Sequence, residues 1–137
     1  MSRRLAREIA LQALFQLDFT PDMSEKQVIA SAAAEHTEKS GAALKYANGL
    51  VHGILGQKKT IDGLIESLAK GWSIERMGNT DKNILRLAIY EIKFADEKIE
   101  PAIVINEAVE IAKLYCDADA PKFINGILAK VVNGQAK

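Results

Sequence analysis

Residues 84–92, with the sequence ILRLAIYEI, have the pattern of a helix that is buried on all sides. At 3.6 residues per turn, their apolar side chains fall on nearly every side of the helix instead of forming one stripe. Such a helix needs neighbours all round, so we predict that the rest of the chain packs around it. Arg86 and Glu91 have little water to face there, and we expect them to pair with side chains of neighbouring helices or to reach a functional surface.

The remainder of the chain predicts further helices joined by short connections. Apolar periodicity and capping residues place them at about residues 3–17, 25–38, 42–55, 58–69, 102–115 and 120–132, with the central helix running from residue 79 or 80 to 94. A single helical turn, pinned by Trp72, Ile74 and Met77, is predicted before the central helix. No alternating run indicates a strand, so the predicted fold is an all-α, single-domain bundle of about seven helices over residues 1–137.

Capping residues are expected to fix several helix ends. Ser24 is the predicted N-cap of the second helix, and Asn79 or Thr80 is the predicted N-cap of the central helix. Pro101 and Pro121 suit the first turns of the last two helices.

Two pairs of residues are expected to shape the packing. Gly49 and Gly53 lie four residues apart in the third helix and would let another helix approach closely. Asn106 and Glu107 are embedded in the apolar sixth helix. We interpret them as core polar groups paired with Arg86 or with capping amides, and the alternative is a surface contact.

Composition restricts the class of protein. The 137 residues include 18 Lys and Arg against 18 Asp and Glu, so the net charge of zero argues neither for nor against nucleic acid. No apolar run approaches the roughly 20 residues that a bilayer requires, and no secretory signal is visible. The single cysteine, Cys116, lies in a polar-flanked stretch and favours a reducing, cytoplasmic compartment.

The sequence lacks the patterns of common catalytic and metal sites. His36 and His52 have no partner at metal-ligand spacing, and Cys116 has no nearby base. No glycine-rich nucleotide loop or βαβ pattern is present. We therefore expect no enzymatic activity, no catalytic residue, no metal and no cofactor.

The amino-terminal helix carries Arg3, Arg4 and Arg7 in its first two turns. Cations at a helix amino terminus oppose the macrodipole, at a cost of roughly 0.3 to 1 kcal/mol each. This placement invites a functional explanation such as local anion binding, and the alternative is a solvated basic end. Acidic residues dominate the flank at residues 16–40, which would discourage non-specific binding elsewhere.

Five motifs follow one another along almost the full length of the chain. They are Arg3-Arg4-x-x-Arg7-Glu8 followed by Ala10-Leu-Gln12-Ala-Leu-Phe15, Trp72 with Arg76, Ile84-Leu85-Arg86-Leu-Ala88-x-Tyr90-Glu91, Ile105-Asn106-Glu107-Ala108-x-Glu110-x-Ala112-Lys113, and Lys122-Phe123-x-Asn125-Gly126-x-Leu128. In this combination the chain resembles the bacterial NusB family. The region between residues 18 and 70 matches mainly by helical pattern.

The resemblance implies an all-helical RNA-binding adaptor in processive transcription antitermination. Members of the family pair with a small-subunit ribosomal protein, called NusE in that role. The pair binds the single-stranded boxA element of ribosomal-operon RNA and joins the RNA polymerase antitermination complex with other Nus factors.

Carried over residue by residue, the resemblance implies that the first helix lies against RNA. Arg3, Arg4 and Arg7 would contact phosphates. Gln12 would hydrogen-bond a base or a sugar, and Phe15 would offer its ring for stacking, at roughly 1 to 3 kcal/mol per stacked base.

The last helix supplies the rest of the implied RNA surface. Asp119, Lys122 and Phe123 match family positions at or near the RNA, where amides of the first helical turn can also meet a phosphate. The surface implied for the ribosomal protein involves the central helix and the turn before it. Its candidate residues are Arg76, Asp81 and Tyr90.

The chain departs from many relatives at two positions in the first helix. Phe15 stands where a tyrosine is common, which removes a hydroxyl and leaves stacking. Leu5 stands where some relatives carry another arginine, so the basic patch is thinner and the salt dependence of binding shallower.

Two other functions fit the same residues. The first is a NusB-like RNA-binding domain of an rRNA methyltransferase. The second is a helical protein-binding module whose arginines pair with an acidic partner. Members of the family also differ in self-association, and a homodimer that buries the arginine helix would mask the RNA site.

Overall fold

The computed structural model describes residues 3–36, 41–69 and 74–134, and within these ranges it contains seven α-helices and one 3-10 turn and no strand. The helices are α1 (Arg3–Phe19), α2 (Glu25–Ala34), α3 (Gly41–Gly56), α4 (Lys58–Leu68), α5 (Asn79–Lys93), α6 (Pro101–Tyr115) and α7 (Ala120–Val132), with the 3-10 turn at Ile74–Arg76. The predicted all-α bundle is therefore confirmed. Trp72, one of the residues expected to pin the short turn, lies outside the described residues, whereas Met77 is buried.

Helix α5 is the centre of the bundle. It packs against α1, α3, α4, α6 and α7, and Leu85 and Ile89 are fully buried in it. Burying a side chain of that size contributes roughly 1.5 to 3 kcal/mol. The all-round apolar pattern of residues 84–92 thus predicted the position of this helix correctly.

Arg86 connects α5 to two neighbouring helices. Its Nε and Nη2 atoms donate to the two carboxylate oxygens of Asp62 on α4, both at 2.8 Å. Its Nη1 atom donates to Asn83 at 2.8 Å and lies 3.5 Å from Asp18 on α1. The expectation that this charge pairs with neighbouring helices is confirmed, and none of the guanidinium nitrogens lacks a partner.

The observed helix ends agree with the sequence in part. Ser24 caps α2 through a complete capping box with Gln27, as predicted for the serine. Helix α2 ends at Ala34 and not near residue 38, because the inward positions after Ala32 would fall on the polar Glu35 and His36, which gain nothing from burial.

The start of the central helix was predicted incorrectly. Gly78 is its N-cap and makes no side-chain capping bond. Asn79 already lies inside the helix, where its carbonyl accepts a hydrogen bond from the Asn83 side chain at 2.9 Å. Pro101 and Pro121 do lie in the first turns of α6 and α7.

Close approach of α3 to α5 occurs at only one of the two predicted glycines. A Cβ atom on Gly53 would lie 2.1 Å from the Tyr90 hydroxyl, so the tyrosine ring occupies the space that a side chain would need. A Cβ atom on Gly49 would meet nothing within 4 Å, so the packing role predicted for Gly49 is wrong.

Candidate nucleic-acid interface

Arg3 and Arg4, at the amino end of α1, are partly exposed and already bonded to carboxylates. Arg4 donates from Nε and Nη2 to the two oxygens of Glu107 on α6, at 2.7 and 2.8 Å. Arg3 pairs with Glu97 and donates to the Tyr46 hydroxyl at 3.2 Å. Their side chains keep exposed fractions of 32% and 40%, so both guanidinium groups remain within reach of a ligand.

Arg7 lies one turn further along α1 and is buried, with 4% of its surface exposed. It donates from Nε and Nη2 to the two oxygens of Glu91, at 2.7 and 2.9 Å. The Tyr46 hydroxyl also donates to Glu91, at 2.7 Å. Arg7 therefore does not lie on a surface that a phosphate could reach, in contrast to the expectation from the sequence.

Burial changes the chemistry of Tyr46 in this cluster. Desolvation, followed by the hydrogen bond to the Glu91 carboxylate, raises the pKa of Tyr46 to about 12. The phenol is thus protonated at neutral pH and donates its proton to Glu91, while Arg7 supplies the compensating positive charge.

Glu107 faces α1 and not the Arg86 side of the core, which corrects the pairing proposed from the sequence. In addition to its bonds with Arg4, it lies 3.5 Å from Nη1 of Arg7. The hydrogen bond from Arg4 lowers the pKa of Glu107 below its ordinary value. Asn106 points outward and is exposed, so it is not a core polar group.

The carboxylates explain how α1 accepts cations in its first turns. The helix has no acidic residue of its own in the first turn. Glu91, Glu97 and Glu107 come instead from α5, the following loop and α6, and each bonds to one of the arginines. Their negative charge offsets the repulsion between the arginines and the positive end of the helix dipole.

Gln12 and Phe15, the other predicted RNA-binding residues of α1, line a groove of about 300 Å³. Ser31 of α2 and Glu35, the C-cap of that helix, also line this groove, which we call the α1–α2 groove. Tyr115, the last residue of α6, also lines it. Both rings in the groove are open to solvent, with Phe15 39% and Tyr115 44% exposed.

A second groove, of about 350 Å³, lies at the start of α7 and is called here the α7 groove. It contains Asp119 and Phe123 together with Arg76 and Asp81. Two residues assigned from the sequence to RNA and two assigned to the protein partner thus line the same groove. Lys122 is exposed beside Phe123.

The two grooves are neighbours at the amino end of α5. Thr80 lines the α1–α2 groove, and the next residue, Asp81, lines the α7 groove. Consecutive Cα atoms are about 3.8 Å apart. The two grooves therefore meet at the amino end of α5.

Tyr90 is separated from the other two candidate partner residues. It lies at the carboxyl end of α5, nine residues after Asp81, which is about 14 Å along a helix axis. Its ring stacks on Phe94 with a centroid distance of 6.4 Å and borders Gly53. Arg76 and Asp81 come together, whereas Tyr90 faces another side of the molecule.

Two residues of the α1–α2 groove region were missed in the sequence analysis. Tyr115 is an exposed aromatic residue at a helix end, a signal that could have singled it out. His36 bonds through Nε2 to the side-chain oxygen of Gln12 at 3.1 Å. Its role depends on the packing of α2 against α1, which no spacing in the sequence reveals.

The described part of the chain contains neither a cluster of metal-ligating side chains nor a membrane-spanning helix. Among those residues, no group of three or more His, Cys, Asp or Glu side chains is arranged to hold a metal ion. None of the helices there is long and apolar enough to cross a bilayer.

Comparisons with known proteins give consistent matches. The model of the NusB family matches residues 4–133. The chain is 49% identical over 138 residues to the transcription antitermination protein NusB of Desulfitobacterium hafniense, a match that covers 100% of this chain and 92% of that protein. The solved structure of T. maritima NusB matches with a TM-score of 0.89 and 34% identity, covering 100% and 94% of the two chains. A crystal structure of the antitermination factors NusB and NusE in complex with double-stranded RNA matches with a TM-score of 0.85 and 31% identity, covering 96% of each chain.

Proposed function

The chain belongs to the NusB family, and on that premise we propose that it is an RNA-binding adaptor in transcription antitermination. In this proposal it pairs with a small-subunit ribosomal protein, NusE. The pair binds the boxA element of ribosomal-operon RNA and joins the RNA polymerase antitermination complex. The observation that carries the proposal is the match, over 96% of this chain, to a NusB that is solved together with NusE and RNA.

The proposed RNA surface follows one stripe of α1. Arg4, Glu8, Gln12 and Phe15 are spaced by four, four and three residues, which puts them on the same side of a helix. Arg4, with Arg3 beside it, would bind phosphates at one end of this stripe. Gln12 and Phe15 would bind a base or a sugar at the other end, where an aromatic ring can stack on an unpaired base.

The start of α7 extends this surface past the amino end of α5. Lys122 would bind a phosphate, and Phe123 would contribute a second ring. Asp119 is the N-cap of α7 and makes no capping hydrogen bond, so its carboxylate would accept a hydrogen bond from a base amine or a 2′-hydroxyl and would not bind a phosphate.

Arg7 is assigned a structural role in this proposal. Since its guanidinium is buried and bonded to Glu91, it would fix α1 against α5 and so hold Arg3 and Arg4 in place. For the protein partner, Arg76 and Asp81 are the proposed contacts because they share the α7 groove. Tyr90 would meet the partner only if that partner also covers the far end of α5.

The proposal is tested by an RNA titration. Fluorescence anisotropy is measured with a boxA-like single strand, a scrambled strand and a duplex of the same length, each with and without the ribosomal protein. We expect tight and boxA-selective binding only when the partner is present. Arg4→Ala should weaken it, whereas Lys59→Ala, which removes an exposed cation from α4, should not. Equal binding of all three RNAs would contradict the proposal.

A protein-binding module without RNA is the second candidate function. The observation in its favour is that Arg3, Arg4 and Arg7 all carry carboxylate partners already. In that case the ribosomal protein would bind and none of the RNAs would bind in the same titration. Light scattering of the free protein shows in parallel whether a homodimer masks the arginine helix.

A further inference from the structure

The α1–α2 groove has dimensions suited to one small planar group. Its volume is about 300 Å³, at the lower end of the range for small-ligand pockets. The rings of Phe15 and Tyr115 contribute aromatic surface from two different helices. The polar side chains of Gln12, Ser31 and Glu35 line the same groove, so it offers both stacking and hydrogen bonds.

When its Nε2 atom carries the proton, His36 fixes the direction of the hydrogen bonds that Gln12 can make. Its Nε2 atom lies 3.1 Å from the Gln12 side-chain oxygen, and a neutral imidazole can donate from that nitrogen. With the oxygen engaged, the Gln12 amide presents its N–H groups as donors. Glu35, which also lines the groove, is an acceptor when ionised.

Tyr115 is held as a neutral phenol. Burial raises the pKa of Tyr115, and the neighbouring Glu8 carboxylate adds to this effect through its charge and a hydrogen bond. Glu8 belongs to the α1 stripe of Arg4, Gln12 and Phe15, so the groove continues the proposed RNA surface.

We propose that the α1–α2 groove is a nucleobase pocket that takes one unstacked keto base of single-stranded RNA between the Phe15 and Tyr115 rings. Gln12 donates to the carbonyl oxygen of the base, and Glu35 accepts from the ring N–H beside it. Uracil and guanine present this carbonyl and N–H pair, and adenine does not. His36 is the positioning residue that holds Gln12. This inference rests on the proposed RNA-binding function and adds a base-reading position to it.

The first experiment locates the base. A boxA-like strand is prepared with an abasic site at each position in turn, and binding is measured in the presence of the ribosomal protein. The RNA affinity of the wild-type protein should fall about 5- to 150-fold when the base at one particular position is absent. Tyr115→Ala should bind the intact strand more weakly, and an abasic site at that position should cost this variant less affinity than it costs the wild type, because only the contacts of Phe15, Gln12 and Glu35 are left to lose. Tyr115→Phe keeps the ring and should bind like wild type. Leu114→Ala, at the exposed neighbouring residue, is the matched control.

If the loss of RNA affinity caused by Tyr115→Ala and the loss caused by the abasic site are additive at every position, no base occupies the pocket. Weaker binding of the ribosomal protein to Tyr115→Ala in the absence of RNA would show that a protein side chain occupies the groove instead. Thermal melting checks that each variant is folded.

A second experiment tests the role of His36. In wild type, replacing the located base by adenine should weaken binding about tenfold, which corresponds to one well-placed hydrogen bond. His36→Ala should reduce this selectivity without a change in melting temperature, and His36→Gln, which can still donate, should restore it. Unchanged selectivity in His36→Ala would exclude the positioning role.

A third measurement separates the pocket from the proposed function. Uridine monophosphate is titrated into the protein alone, and the ring signals of Tyr115 and His36 are followed by NMR. If these signals shift while no RNA strand binds, the pocket stands and the antitermination proposal fails. If they do not shift and no strand shows a sensitive position, the pocket fails whether or not RNA binds.

Discussion

Arg7 and Glu91 form a buried ion pair with two hydrogen bonds, at 2.7 and 2.9 Å, that joins the amino-terminal helix to the central one. The pair has further partners, because Tyr46 donates to the same carboxylate at 2.7 Å and Glu107 lies 3.5 Å from the guanidinium. An arginine that the sequence groups with two half-buried surface arginines is thus part of the core.

Arg7→Ala should destabilise the fold by roughly 3 to 5 kcal/mol, because it leaves the buried Glu91 carboxylate without its cation. Arg7→Met/Glu91→Leu removes both charges and should recover most of that loss, although the Tyr46 hydroxyl then lacks its acceptor. Urea denaturation of the wild type, the single variant and the double variant measures both effects. If Arg7→Ala keeps full stability and loses only RNA affinity, Arg7 belongs to the binding surface after all.

Arg86→Ala should be destabilising for a related reason. Asp62 and Asp18 are largely shielded from water, with side-chain exposed fractions of 19% and 14%, and both lose their bonds with the guanidinium. The expected loss is a few kcal/mol. Arg86→Lys keeps the charge but not the two parallel bonds to Asp62, so its loss should be intermediate. Equal stability of Arg86→Lys and Arg86→Ala would show that the geometry of the guanidinium contributes nothing.

Gly53→Ala and Gly49→Ala test the close approach of α3 and α5. A Cβ atom on Gly53 would lie 2.1 Å from the Tyr90 hydroxyl, and the ring cannot move without disturbing its stacking on Phe94. We expect a loss of about 1 to 3 kcal/mol for Gly53→Ala. Gly49→Ala, on the same helix, meets no atom within 4 Å and should stabilise the helix by up to about 1 kcal/mol.

Chemical denaturation measures both glycine variants. Adding Tyr90→Ala to Gly53→Ala should remove most of the clash, so the two losses should not be additive. Additive losses, or a Gly49→Ala variant as unstable as Gly53→Ala, would contradict the contact between Gly53 and Tyr90.

Features of this fold that are determined by residues close together in the chain could be predicted from the sequence. The central position of α5 follows from apolar side chains on all sides of residues 84–92, and the start of α2 follows from the Ser24 capping box. The NusB family could be recognised from motifs at both ends and in the middle of the chain, and the family match over residues 4–133 confirms it.

The partners of charged residues could not be predicted, because they depend on how the helices are rotated against one another. Arg3 and Arg7 are four residues apart and lie on the same side of α1. Ala6 and Ala10 are fully buried on either side of Arg7, and such small side chains let a neighbouring helix come close. Arg7 is therefore enclosed, while Arg3, one turn earlier, stays at the edge.

Tyr115 in the α1–α2 groove illustrates the same limit. Its position at the end of α6 is visible in the sequence. Its proximity to Phe15 depends on how α6 (Pro101–Tyr115) and α1 (Arg3–Phe19) are placed around the core, although the two helices are far apart in the sequence. No spacing between position 15 and position 115 carries that information.

Cys116 should react slowly with alkylating agents. Burial, followed by the hydrogen bond and charge of Asp81, raises the pKa of Cys116 to about 12. The reactive thiolate is therefore scarce below that pH, and alkylation by iodoacetamide at pH about 8 should be at least about tenfold slower than in the denatured chain. Asp81→Asn removes the negative charge and should speed the reaction. A thiol that reacts equally fast in the native and the denatured protein would contradict the raised pKa.

Glu107→Gln should strengthen RNA binding if Arg4 contacts a phosphate. In the free protein, Glu107 occupies two donors of Arg4, at 2.7 and 2.8 Å, so an incoming phosphate has to compete with a carboxylate for the same guanidinium. A neutral amide competes less well, and one additional phosphate contact steepens the dependence of log K on log salt by about 0.7 for a single strand. Anisotropy titrations at several salt concentrations measure affinity and slope together. Glu110→Gln is the matched control, since Glu110 lies on the same helix and bonds to Lys113 at 3.0 Å. If Glu107→Gln weakens binding while Glu110→Gln does not, Glu107 holds Arg4 in its binding position and does not compete with RNA.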